Sequence, residues 1–197
     1  DKKPMLGDLR ESGCVTAGTR VLRADTGAEV PIGELMASGE RNVPVWALDE
    51  SLRYVQSTLT HAFPSGRRAA FRVGLASGRT VEATANHRFL TYGGWCPLAD
   101  LGVGSRVAVA RHVPAPAATT PWPDGEVITM AHRVGGGSSL PTALFSLPKK
   151  QIAVLLRHLW ATGHATVTVD RSGRGGRISY ASTSRDVLRG VAGLLLR

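Results

Sequence analysis

The sequence predicts a mainly β first half followed by a small α+β second half, and three observations carry that prediction. From Thr19 to Val109, short runs of β-branched and apolar residues are broken by turn residues at close spacing. After Val113 the stretch PAPAATTPWPDG brings four prolines together and reads as a linker. Beyond it, apolar residues recur at helical spacing, then alternate, then return to helical spacing. Many short strands without a long helical pattern make the first half a compact β fold.

Each element follows from local residue chemistry. TRVLRADTGAEVPI reads as a hairpin around Asp25-Thr26-Gly27, and PIGELMASGE as a short helical turn stopped by Gly39. FRVGLASGRTVEAT turns at Ser77-Gly78, and FLTYGGWCPL at Gly93-Gly94. In the second half, KKQIAVLLRHLWATG places Ile152, Leu155, Leu156 and Leu159 on one helical face. ATVTVD and RISYAS alternate like strands joined by a glycine-rich turn. TSRDVLRGVAGLLLR opens with Thr/Ser, carries Asp186 in its first turn, and aligns Val187, Val191, Leu194 and Leu195. It shows no stop signal, so the chain is expected to be cut short.

Composition bounds the function. Hydrophobic content of 43% over 197 residues is ordinary for a globular protein with ample core. No apolar run reaches membrane-spanning length and DKKPMLGDLRES is no signal peptide, so a soluble, cytoplasmic protein is expected. Cys14 and Cys96 make no disulfide scaffold. The net charge is +9, of which +3 falls in residues 14–118 and +6 in the shorter 119–197. That basic half suits a polyanion surface, although no dense Lys/Arg block or base-reading motif appears.

The chemistry centres on Cys14, in ESGCVTAGTRV. A thiol is a nucleophile only as thiolate and only with a carbonyl nearby. Gly13 supplies one, unobstructed by a side chain. Attack would convert the Gly13–Cys14 amide into a thioester, an uphill exchange that needs an acid for the departing nitrogen and donors for the oxyanion. TANH, residues 84–87, offers them: Thr84, Asn86 and His87 stand where a strand gives way to a turn. An imidazole changes charge near neutral pH, which suits His87 to the acid's role.

A cysteine opening a β-rich domain, with T-x-x-H about seventy residues later, resembles an intein. CVTAGTRVL is similar to the first intein block, and GRTVEATANHRFLTYGGWCPLADLGVGSRV to the second. LGDLRESG, before the cysteine, is similar to a stretch of bacterial DnaB-type replicative helicases. The resemblance implies a horseshoe-like β-domain of the Hint (protein-splicing) fold over residues 14–118, with residues 1–13 as a remnant of the host helicase, the N-extein. It further implies that Cys14 attacks Gly13, His87 strains or protonates the scissile amide, Thr84 helps to hold it, and Asn86 contributes an oxyanion donor. Flanking helicase exteins would be the partners. The terminal His-Asn pair that closes splicing is absent, so a missing C-terminal intein segment is expected to carry it.

Three further expectations follow. Cys96 is a core thiol, or else a redox or zinc partner of Cys14 and His87; two thiols and one imidazole are too few to read a zinc site, and no metal or other cofactor is implied. Residues 119–197 resemble a LAGLIDADG homing endonuclease, GEVITMAHRVGGG and QIAVLLRHLWATGH standing for its signature helices. That family's metal-binding acids would fall at Gly136 and near Gly163, so a degenerate, catalytically dead remnant with weak nonspecific DNA binding is implied. A DNA-binding or cleaving module on a β platform, and a cysteine hydrolase of external substrates, are the other readings. No G-x-x-x-x-G-K-[ST] occurs, so no ATPase is expected in this chain.

Overall fold

The computed structural model describes residues 13–162, 165–169 and 175–197. Residues 1–12 of the expected N-extein, Gly163 with His164, and the glycine-rich turn at 170–174 lie outside them. Backbone contacts divide the chain into two units. The first holds the described residues through Leu22, then Glu29–Val45 and Ser57–Ala110; the second holds Arg23–Ala28, Trp46–Gln56 and Arg111–Arg197.

The first half is built of two-stranded ladders. β1 (Arg20–Leu22) pairs antiparallel with β2 (Glu29–Pro31), Val21 opposite Val30. Helix α1 (Ile32–Ser38) follows at once and ends at Gly39, whose φ of 67° is the left-handed conformation that glycine adopts without strain. β3 (Val43–Leu48) pairs with β4 (Tyr54–Leu59). β5 (Phe71–Gly74) and β6 (Thr80–Ala83) form an antiparallel hairpin, Val73 opposite Val81, around the expected Ser77-Gly78 turn. β7 (Arg88–Thr91) pairs with β8 (Gly94–Pro97). Here the turn falls on Tyr92-Gly93, one residue earlier than the glycine pair suggests, because Gly94 is already paired with Thr91.

The first unit's own buried apolar residues are few among those described: Leu35, Val43 and Ala83, joined by Thr84 at 7% exposure. A buried threonine beside a strand end is the first sign of a polar site.

The second unit has a conventional core. α2 (Asp124–Gly135) and α3 (Lys149–Trp160) pack together, with a short 3-10 turn at Thr142–Ser146 between them. β9 (Ala165–Val169) and β10 (Gly176–Tyr180) form a hairpin, and α4 (Arg185–Leu195) closes the order. Ser184 caps α4 by accepting the Val187 N–H through its hydroxyl. Val127, Leu144, Leu155, Leu159, Val187 and Leu194 are among the buried cluster. Leu195, expected on the buried face of α4, is 59% exposed instead, because the helix presents Val187, Val191 and Leu194 inward. α2 and α3 come close where they end: a Cβ added at Gly135 would overlap the Thr162 side chain. Among the described residues no helix is long and apolar enough to cross a membrane.

Candidate active site

The site is built on the end of β6. An antiparallel bridge joins Val15 to Ala83, and the Thr16 N–H donates to the Glu82 carbonyl at 3.1 Å. One step along, the Thr84 N–H donates to the Cys14 carbonyl at 3.0 Å. The chain at Cys14 is thus laid along the strand that leads into the T-x-x-H turn. Cys14 closes the pairing through its own N–H, which donates to the Thr84 hydroxyl at 2.8 Å. That N–H belongs to the Gly13–Cys14 amide. The Thr84 hydroxyl donates its own proton to Asn86 Oδ1 at 2.7 Å, so one short relay runs from the amide nitrogen through Thr84 to Asn86.

The turn itself is fixed by backbone. The His87 N–H donates to the Thr84 carbonyl at 3.0 Å, and the Leu98 and Ala99 N–H groups each donate at 2.8 Å to the carbonyls of His87 and Ala85. The His87 ring meets Phe89 edge-on, with centroids 5.3 Å apart. Gly13 lies directly against this residue: an added Cβ would overlap His87 Cα and stand 2.7 Å from its Cβ and N. Only a residue without a side chain fits there as built. The absence of a side chain at Gly13, read from sequence as leaving its carbonyl open, also lets the main chain approach the histidine.

Cys14, Thr84, Asn86, His87 and Gly13 therefore meet in one place. Ser65, which sequence reasoning missed, joins them: its hydroxyl donates to Cys14 Sγ at 3.2 Å across 51 residues. Cys96 stands in β8 opposite Phe89, half-buried, with its thiol directed to the Pro97 carbonyl at 3.6 Å. Neither cysteine is in a disulfide, and no group of three or more metal-ligating side chains occurs among the described residues. Beneath the site, Arg72 donates to Glu82 through Nε and Nη2 at 2.9 and 2.7 Å. That hydrogen bond, with the guanidinium charge, holds the Glu82 carboxyl below the usual glutamate range.

This arrangement holds the nitrogen of the Gly13–Cys14 amide while a thiol stands on the amide's C-terminal residue. No family model matches the chain. The curated protein "Replicative DNA helicase DnaB" of Rhodothermus marinus is 37% identical over 162 residues, covering 81% of this chain. That of a Nostoc species is 35% identical over 153 residues, covering 77% of this chain. The chain spans only 17% of the length of either relative. Among solved structures, a crystal structure of an Ssp DnaB mini-intein variant is 34% identical, with a TM-score of 0.50 over 54% of this chain and 66% of that one. A sequence that aligns with a small fraction of a helicase, and that shares its fold with an intein of the same helicase, is the inserted element itself. The chain belongs to the inteins of DnaB-type replicative helicases.

Proposed function

We propose that this intein begins protein splicing by an N–S acyl shift at the Gly13–Cys14 bond, with Cys14 as nucleophile and His87 as acid. The observation that carries the reading is the Thr84 hydroxyl on the Cys14 N–H, with Gly13 pressed against His87. The Cys14 thiol gives its proton to solvent, from which His87 is recharged after the step, and the sulfur attacks the Gly13 carbonyl carbon and forms the C–S bond. The tetrahedral oxyanion then collapses, the C–N bond breaks, and the Cys14 nitrogen leaves as an amine after taking a proton from His87. The net change is one acyl group moved from nitrogen to sulfur and one proton moved from sulfur to nitrogen. Thr84 holds the departing nitrogen in place. Asn86, whose Oδ1 accepts the Thr84 hydroxyl, contributes an oxyanion donor through its NH₂ group.

The test is thiol-induced release. Dithiothreitol added to the precursor containing this chain should free a peptide ending at Gly13, by attack on the thioester. Cys14→Ala should abolish release, and His87→Ala should slow it by about 10²- to 10⁴-fold, the usual loss for a general acid. Release that persists in Cys14→Ala but vanishes in Cys96→Ala would give the role to the other thiol.

A second reading concerns residues 119–197, as a homing-endonuclease remnant that has kept some affinity for DNA. It is favoured by the close approach of α2 and α3 at Gly135 and Thr162, with Gly136 rather than an acid at the cap of α2. Exposed Arg133, Lys149, Lys150, Arg157 and Arg177 supply phosphate contacts. Metal-dependent nicking of DNA would refute the loss of cleavage.

A further inference from the structure

The main chain at Cys14 is fixed on both sides, by Thr84 Oγ1 at its N–H and the Thr84 N–H at its carbonyl. The thiol is fixed by neither. A cysteine side chain rotates about one bond among three staggered positions, and those contacts do not select one. We propose that Ser65 is a further catalytic residue of the acyl shift: its hydroxyl holds the Cys14 sulfur where it can attack Gly13. The inference rests on the proposed N–S acyl shift.

Three observations carry it. The first is the contact itself, an O–H donated to Sγ at 3.2 Å from a residue 51 positions away. The second is the segment that presents it: Ser65 lies between Pro64, whose ring fixes its own φ, and Gly66, whose φ of 89° favours glycine. The third is where that segment lies. Residues 60–70 join β4 to β5 without a strand or helix of their own, yet this exposed connection reaches the nucleophile. Loops positioned by a scaffold of regular elements disproportionately carry functional residues.

The chemistry favours the attacking form. An O–H donor binds a sulfur more strongly as negative charge gathers on it, so the bond strengthens while the thiol gives up its proton. Once the sulfur is acylated it is a poorer acceptor, and the contact is released to the incoming nucleophile of the next step. Ser65 keeps its own proton throughout and takes no part in bond making.

The experiment compares an isosteric pair in the precursor containing this chain. Ser65→Thr keeps the hydroxyl and Ser65→Val has the same shape without it; at this exposed position both fit. Thiol-induced release of residues 1–13 should stay within about twofold of the parent in Ser65→Thr. In Ser65→Val and Ser65→Ala it should fall roughly five- to tenfold, the size expected of one lost hydrogen bond. Thermal melting of the Thr and Val forms should coincide. Equal release from Thr and Val, at whatever level, would overturn the proposal, since only shape would then matter. A parent that releases no peptide, or releases it without Cys14, would instead refute the acyl-shift reading on which the proposal rests.

Discussion

The hydroxyl of Thr84 accepts the N–H of Cys14 at 2.8 Å, which places a side chain from the T-x-x-H turn on the nitrogen of the Gly13–Cys14 amide. The same residue's main chain binds the other end of Cys14, the Thr84 N–H reaching the Cys14 carbonyl at 3.0 Å. A threonine at 7% exposure is therefore a structural clamp as well as a polar contact.

Thr84→Ala should slow peptide release by about tenfold or more, and by less than His87→Ala, since removal of one positioned hydrogen-bond partner costs less than removal of the acid. Thr84→Ser should recover most of the rate. A serine form as slow as alanine would mean that the methyl group, and not the hydroxyl, matters.

Gly13→Ala should be more damaging than its size suggests. The new Cβ would meet main-chain atoms of His87, which cannot swing aside as a side-chain tip can. Release should fall by at least an order of magnitude for the roughly 2 kcal/mol that such overpacking costs. Near-normal cleavage would show that Gly13 moves away from His87 before reaction.

The Glu82–Arg72 pair gives a pH dependence with a definite sign. The folded carboxyl titrates below its ordinary value of 4.5, so its stabilising effect is complete above that pH and fades as pH falls through the lower folded value. Both groups are substantially exposed, and the effect should be small and weakened by salt. Glu82→Gln should flatten the acid limb of a melting-temperature profile below pH 4.5 and leave neutral pH nearly unchanged. An unchanged acid limb would assign acid sensitivity elsewhere.

Much of this was legible in sequence. Ser77-Gly78 announced its hairpin because Gly78, at φ 79°, does what a turn glycine is for. Cys14, Thr84 and His87 stood out by chemistry, but their meeting came only from the intein resemblance, since no local pattern spans seventy residues. Ser65 was hidden for the same reason: Pro-Ser-Gly is a common turn, and nothing in it points to a particular sulfur. Leu195 misled because the helical stripe is wider in sequence than the face that α4 buries.

Leu144 and Leu147 were also missed, although both are fully buried. They lie in and just after a 3-10 turn of five residues, too short for any periodicity to declare itself. Leu144→Ala should lower the stability of the second unit by about 2–5 kcal/mol, measured from denaturant midpoints. A loss below about 1 kcal/mol would mean that the surrounding core collapses to fill the space.

The separation of seventy positions from Cys14 to Thr84 also sets a clock. At about 5–20 residues per second, a ribosome finishes Thr84 on the order of 4–14 s after Cys14. Until then Cys14 has neither Thr84 nor His87 beside it. Under the proposed acyl shift, the Gly13–Cys14 bond is therefore an ordinary peptide bond for as long as the T-x-x-H turn remains untranslated, and no separate inhibitor is needed to protect it.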